Sequence, residues 1–132
     1  MPPSNKMAQE DFHLYNYRLI TELAAAKLRE EPNITFSGLL DKTGIEPQEL
    51  SYILRKNINI RRIKSIRRLG KPIGKYSILP PGVDYFVALN QFISYLLDMH
   101  NAKSATDEII VEASKLADIL IKAPKIYLDK HR

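Results

Sequence analysis

The turn at residues 44–47 constrains the fold of this chain more than any other stretch. Gly44 can adopt the left-handed conformation that ends a helix, and Pro47 costs no hydrogen bond at the first position of the next one. Ile45 lies between them and is predicted to insert into the core. The next apolar residues recur at helical steps, at Leu50, Ile53 and Leu54. This spacing predicts an amphipathic helix and, with the turn, a helix-turn-helix arrangement.

After Asn57 the pattern changes to isoleucines set among basic residues. Such β-branched stretches favour strands, because the branched side chains pack well on a sheet. Residues 63–69 and 75–79 are therefore predicted to form the two strands of a hairpin. Its tip is predicted at residues 70–74, which carry a glycine at each end.

Positive charge is concentrated in the same region. Between Glu49 and Asp84 the sequence contains nine Lys or Arg residues and neither Asp nor Glu. The whole chain has a formal net charge of +5, so the remainder of the chain carries −4. A local basic block of this kind predicts a localised anionic partner. Nucleic acid fits this pattern best, and an anionic membrane surface is the alternative.

The N-terminal part of the chain is predicted to be helical. A first helix spans residues 11–31 and ends before Pro32, which cannot continue the hydrogen-bond ladder. Residues 34–36 then either pair as a short strand or lead directly into the next helix. Thr35 or Ser37 is predicted to cap that helix, which runs into the turn.

Two more helices are predicted in the C-terminal part, at residues 83–100 and after a cap at Ser104 or Thr106, with Pro124 ending the second. Both are more apolar than a small core requires, which predicts a homodimer interface. The alternative is that they fold back on the first helix and complete a monomer. The predicted interface residues are Phe92, Leu96, Ile109, Leu116 and Leu120.

The bulk composition indicates one folded domain, because 132 residues with 45% hydrophobic content can bury one core. The predicted fold class is mainly α with a small β-hairpin. Residues 1–9 are predicted to be a flexible tail, residues 10–100 the main domain, and residues 101–132 a C-terminal helix and tail. No apolar run approaches the length of a membrane span, and the polar N-terminus has no signal core, so a cytoplasmic protein without membrane contact is predicted.

The sequence contains no pattern typical of an enzyme. There is no cysteine, and His13, His100 and His131 lie far apart without a neighbouring metal-ligand pattern. The Gly70-x-x-x-Gly74 stretch lacks the Lys-Ser/Thr of a phosphate-binding loop. We therefore expect no catalytic activity, no cofactor and no metal.

Two stretches resemble the winged helix-turn-helix superfamily, and in particular small regulators of the MarR, PadR and ArsR type, including archaeal and archaeal-viral relatives. Residues 39–56, with their Thr-Gly-Ile turn, are similar to the helix-turn-helix, and residues 76–82, Tyr-Ser-Ile-Leu-Pro-Pro-Gly, are similar to the end of the wing. The resemblance covers about residues 12–100. It departs at Glu46, where the family usually has Ser or Thr, and at Glu49, a carboxylate on the helix that would face DNA.

The resemblance implies a sequence-specific double-stranded DNA-binding protein that acts as a homodimeric transcriptional regulator, with residues 46–57 as the recognition helix in the major groove. Its side chains have base- and phosphate-binding chemistry: glutamine pairs with adenine, arginine with guanine or phosphate, and glutamate accepts from cytosine. The alternative is a solvated helix face of a domain that binds protein. The predicted contact residues of this helix are Gln48, Glu49, Ser51, Tyr52, Arg55 and Lys56.

The basic wing, residues 61–79, is predicted to lie on the flanking backbone or in the minor groove. The alternative is an edge strand that lysine and arginine protect from aggregation. The predicted contact residues are Arg61, Arg62, Lys64, Arg67, Arg68, Lys71 and Lys75. Two other functions use the same chemistry, namely a plasmid or viral partition or replication protein that coats DNA, and a winged helix that binds a protein partner. The sequence does not indicate an operator or an effector ligand.

Overall fold

The computed structural model of the chain describes residues 7–31, 33–66 and 74–130, with side chains as far as residue 122. Five helices and three strands lie within these ranges, so the protein is mainly helical with a small antiparallel sheet, as predicted. The elements in chain order are α1 (Gln9–Leu28), β1 (Ile34–Thr35), α2 (Phe36–Thr43), α3 (Pro47–Asn59), β2 (Ile63–Ile66), β3 (Lys75–Ile78), α4 (Pro80–Met99) and α5 (Asp107–Lys130). The chain forms two compact units, one as far as Val83 and one from Asp84.

The sheet has three strands in the order β1-β3-β2, so it is larger than the predicted hairpin. Both alternatives for the stretch after Pro32 hold, because β1 pairs with β3 and runs directly into α2. Ile63 lies opposite Ile78, and Ile34 lies opposite Tyr76 in an antiparallel register. These three isoleucines are buried and form the apolar face of the sheet. The predicted hairpin tip lies outside the described residues.

Helices α1, α2 and α3 enclose the core of the N-terminal unit. The side chains without exposed surface come from all three, namely Leu19, Ile20 and Leu23 of α1, Leu39 of α2, and Leu50 and Ile53 of α3. Each buried leucine or isoleucine contributes roughly 1.5–3 kcal/mol relative to an exposed one. The apolar stripe that the sequence predicts for α3 is therefore confirmed as its buried face.

Helix α1 ends earlier than predicted, at Leu28. The amide of Glu31 donates to the carbonyl of Ala26 at 2.9 Å, and the amide of Glu30 donates to Lys27 at 3.1 Å. Glu30 has a φ of 63°, which completes a Schellman motif with glutamate where glycine is usual. Arg61 ends α3 in the same way, with a φ of 62°. These turn hydrogen bonds close the end of α1, and Pro32, which the sequence predicts as its stop, lies outside the described residues.

A pair of buried asparagines connects α1 to α3. Asn57 donates from Nδ2 to Oδ1 of Asn16 at 2.7 Å and to the carbonyl of Ile53 at 2.8 Å. Asn16 is 2% exposed and Asn57 is 1% exposed. A hydrogen bond this well shielded from water is costly to break, because the remaining partner stays buried.

Replacing Asn57 with alanine is expected to lower the free energy of unfolding by about 2 kcal/mol, because the Oδ1 of Asn16 loses its donor while it stays buried. Urea denaturation followed by circular dichroism measures the change. Asn59→Ala is the matched control, since Asn59 lies on the same helix and is exposed. Equal, small losses in both variants would contradict the role of the buried pair.

The C-terminal unit contains most of α4 and all of α5. Thr106 caps α5, because its Oγ1 accepts from the amide of Ile109 at 3.3 Å. The prediction that Pro124 ends α5 is wrong, since the helix continues to Lys130. Proline removes one backbone hydrogen bond from a helix, and the helix can continue past the missing bond. None of the described helices is long and apolar enough to cross a membrane.

Candidate nucleic-acid interface

The turn between α2 and α3 is fixed by backbone and hydroxyl hydrogen bonds. Gly44 ends α2 with a φ of 69°, as the sequence predicts, and its amide donates to Leu40 at 2.9 Å. Thr43 is buried, donates from Oγ1 to the carbonyl of Leu39 at 2.7 Å, and accepts from the amide of Ile45 at 3.2 Å. Ile45 is 3% exposed, so it inserts into the core as predicted. These contacts fix the direction in which α3 leaves the turn relative to α2.

The exposed face of α3 carries groups that can bind nucleic acid. Gln48, Ser51 and Arg55 are exposed, whereas Leu50 and Asn57 lie on the buried side. Successive helical residues are rotated by about 100°, so Gln48 and Arg55 lie within about 20° of each other around the axis. Both therefore lie near the centre of the exposed face.

Asn59 belongs to this face and was missed by the sequence analysis. The helix was predicted to end at residue 57, but α3 continues to Asn59, which is exposed. Its position four residues after Arg55 and eleven after Gln48 places it on the same line along the helix. The spacing of seven and four residues could have assigned Asn59 to this helix face. The isoleucines on either side of Asn59 favour a strand and therefore concealed the end of the helix.

Tyr52 lies at the contact between α3 and α1. It is half-buried, and its ring meets Phe12 edge-to-face with a centroid distance of 6.2 Å. The Nζ of Lys56 lies 5.5 Å from the centroid of the tyrosine ring, on the distance scale of a cation–π contact. Tyr52 therefore positions Lys56 and packs α3 on α1, while its own contact with DNA stays a prediction.

The two carboxylates at the start of α3 lie away from the centre of its exposed face. Glu49 is half-buried and is rotated by about 100° from Gln48. Glu46 is exposed at the N-cap position, and its side chain makes no capping hydrogen bond. Negative charge at a helix N-terminus is favourable, because the backbone amides there carry partial positive charge. The helix dipole thus accounts for both residues without a contact to a base.

The described part of the predicted wing presents two lysines on one face of the sheet. Lys64 lies opposite Ser77, and Lys75 lies opposite Ile66. Because directly paired residues and residues two apart share a face, Lys64 and Lys75 point to the same side, and both are exposed.

The other predicted wing residues divide into three groups. Arg61 is exposed at the junction between α3 and β2. Arg62 is only 9% exposed, so its side chain presents little charge to the surface and its contact with DNA stays a prediction. Arg67, Arg68 and Lys71 lie outside the described residues.

The predicted dimer residues differ in burial. Leu96 is 3% exposed and Ile109 is 7% exposed, so both already lie in the interior of the protein. Phe92 and Leu116 are half-buried, and Leu120 is 42% exposed. Among the side chains of these two helices that the structure describes, the most exposed apolar ones are others, namely Val87, Tyr95, Met99 and Ile119.

The C-terminal unit contains an open cavity of about 470 Å³. Leu96 and Ile109 form part of its wall, and His100, Glu108 and Glu112 also contribute. The two carboxylates in its wall disfavour the binding of phosphate. Within the described parts of the chain, no group of three or more His, Cys, Asp or Glu residues is placed to hold a metal ion.

No protein-family model matches the chain, and no curated protein matches it. A solved structure described as "Crystal Structure of a transcriptional regulator" is similar over 92% of this chain and 97% of that chain. The TM-score is 0.39 and the sequence identity is 10%. A TM-score this low does not establish a shared fold.

Proposed function

We propose that the chain is a winged helix-turn-helix protein that binds double-stranded DNA as a homodimeric transcriptional regulator. One observation carries the proposal: the exposed face of α3 leads directly into exposed basic residues of the small sheet. Arg55 on α3 and Arg61, Lys64 and Lys75 beyond it are all exposed. No Asp or Glu occurs in the sequence between Glu49 and Asp84.

The dimensions of α3 suit the major groove of DNA. An α-helix with its side chains is about 10–12 Å across and the major groove is about 12 Å wide, so the 13 residues of α3 can lie in the groove. Its exposed line offers an amide at Gln48, a guanidinium at Arg55 and a second amide at Asn59. Glutamine and asparagine pair with adenine and arginine pairs with guanine, so this line would read bases in that order.

The sheet would contact the phosphate backbone next to that groove. Lys64 and Lys75 point to one side of the sheet, and Arg61 lies where α3 joins β2. Lysine side chains bind phosphates as point charges and carry no sequence information, so these residues would supply affinity. Arg67, Arg68 and Lys71 would extend the same contact. A regulator of this kind would act in the cytoplasm.

The affinity of the full chain for a random 30-base-pair duplex tests the proposal. Five exposed cations lie between residues 55 and 75, namely Arg55, Lys56, Arg61, Lys64 and Lys75. If each neutralises one phosphate, the plot of log K against log salt has a slope of about −4.5 per copy. For a homodimer with two sets of these contacts, affinity is then expected to fall by roughly 10⁵-fold between 50 and 200 mM salt, measured by fluorescence anisotropy.

Two results of these experiments separate the alternatives. Absence of duplex binding at 50 mM salt would contradict the proposal and favour a winged helix that binds an acidic protein. Footprinting on genomic DNA is expected to show a compact protected site. Protection that spreads along the duplex would favour a partition or replication protein that coats DNA.

A further inference from the structure

Helix α4 carries exposed side chains at every fourth position along one ridge. Val87 is 48% exposed, Tyr95 is 60% exposed and Met99 is 56% exposed. Gln91, also exposed, occupies the remaining position of the series. Side chains four residues apart form a continuous ridge on a helix, and helices pack by fitting the ridge of one into a groove of the other. Large apolar side chains grouped on a surface in this way mark a contact site.

The order of side chains along this ridge is self-complementary. Its midpoint lies at Ile93, halfway between Gln91 and Tyr95 and halfway between Val87 and Met99. When two copies of α4 lie antiparallel about that midpoint, Val87 of each copy faces Met99 of the other. Gln91 then faces Tyr95, so an amide meets a phenol hydroxyl while the apolar ends meet each other. A two-fold interface requires such self-complementarity.

Charges beyond the two ends of the ridge agree with the same orientation. Asp84 is exposed one turn before Val87, and Lys103 is exposed shortly after the end of α4. An antiparallel pair brings the start of one α4 beside the end of the other, so each Asp84 comes near Lys103 of the other copy and also near the exposed Asp98 of that copy, whose charge Lys103 offsets. In a parallel pair, Asp84 of one copy would instead lie beside Asp84 of the other copy, and the two negative charges would repel each other. Helix α4 itself contains two Asp and neither Lys nor Arg, which disfavours DNA or an anionic membrane as the occupant.

We propose that two copies of this chain associate through an antiparallel α4 interface formed by Val87, Gln91, Tyr95 and Met99. This inference rests on the homodimer of the proposed function and assigns its contact surface. The interface excludes Leu96 and Ile109, which are buried within each copy. One ridge on a single helix covers less area than a standard interface of about 800 Å² per partner, so the dissociation constant is expected to be on the order of micromolar.

Cysteine cross-linking tests the orientation, because the chain contains no cysteine of its own. A mixture of Val87→Cys and Met99→Cys copies is expected to form a disulfide-linked dimer under mild oxidation, whereas each variant alone stays uncross-linked. The 12 residues between these positions span about 18 Å, which keeps identical positions apart in the antiparallel pair. Cross-linking within each single variant would overturn the antiparallel orientation, and absence of cross-linking in all three samples would overturn the interface.

Charge exchange tests the same contact by sedimentation equilibrium of the full chain without DNA. Asp84→Lys and Lys103→Asp are each expected to weaken dimerisation by about tenfold, because a two-fold interface contains every substitution twice. The double variant is expected to recover wild-type dimerisation. Lys115→Asp is the matched control for Lys103→Asp, since Lys115 is an exposed lysine of α5 and both substitutions change the net charge by the same amount. A double variant as weak as the single variants would overturn the proposed pairing.

Failure of this interface is distinguishable from failure of the DNA-binding proposal. A monomer that binds the duplex with the expected salt dependence would overturn only the α4 interface. A cross-linked α4 dimer that binds no duplex would overturn only the DNA-binding function. Circular dichroism of every variant shows whether a lost dimer reflects a lost contact or a lost fold.

Discussion

Replacing Lys64 and Lys75 together with glutamate is expected to weaken binding to duplex DNA of any sequence by about a thousandfold at physiological salt. Both lysines are exposed on the same face of the sheet, so the substitution reverses two charges that would lie against phosphates. Each phosphate contact that no longer releases a counterion costs about a factor of five at this salt concentration, and the proposed homodimer loses two such contacts from each copy. Fluorescence anisotropy with several unrelated duplexes measures the loss.

The matched control reverses two lysines of the other unit. Lys115 and Lys122 are exposed on α5, and replacing both with glutamate changes the net charge by the same amount. We expect this control to bind DNA within about threefold of the unmodified protein, because neither lysine belongs to α3 or to the sheet that the proposal assigns to DNA. Equal losses in the two double variants would show that net charge governs binding, which would contradict a defined contact through the sheet.

Replacing Gly82 with alanine is expected to lower the free energy of unfolding by about 3 kcal/mol. A Cβ atom at this position would lie 2.3 Å from the carbonyl oxygen of Arg62 and 2.7 Å from Cγ1 of Ile78. The carbonyl cannot move aside freely, because it accepts a hydrogen bond from the amide of Leu79 at 2.8 Å. Inserting a methyl group into so tight a contact forces the backbone apart, at the upper end of the cost of overpacking. Urea denaturation measures the loss.

Gly38→Ala is the comparison for this substitution. Its Cβ would lie 2.9 Å from Cγ2 of Ile34, a side-chain atom, and 3.3 Å from Oγ1 of Thr35. Both glycines lie in helices, so alanine gains up to about 1 kcal/mol of helix propensity at either position, and at Gly38 this gain offsets most of the milder contact. We expect a change of less than about 1 kcal/mol. A loss at Gly38 as large as the loss at Gly82 would contradict the distinction between side-chain and backbone contacts.

Local patterns in the sequence were sufficient to predict the turn before α3 and the face that α3 buries. The left-handed conformation of Gly44, the insertion of Ile45 and the apolar stripe all depend on residues within one or two turns of each other. The ends of helices were predicted less well. Glu30 and Arg61 adopt the left-handed conformation that glycine usually adopts, so neither position carried the usual sequence signal.

Predictions that depended on distant residues were less complete. Tyr52 packs against Phe12, which lies 40 positions earlier, and spacing within α3 contains no trace of that partner. The alternation of charged residues after α3 did not show that Arg62 is buried. Likewise, the apolar pattern of α4 and α5 could not distinguish Leu96, which is buried, from Tyr95, which is exposed. Periodicity identifies an apolar face but not what covers it.

The asparagine pair between α1 and α3 also determines the rotation of α3 about its own axis. Contacts between leucines and isoleucines have little directional preference, so an entirely apolar packing would tolerate some rolling of the helix. The 2.7 Å hydrogen bond between Asn57 and Asn16 is directional and is formed in only one rotational setting. In that setting Gln48, Arg55 and Asn59 face outwards. The buried side chain of Asn57 thus fixes the direction in which the polar surface on the opposite side of α3 points.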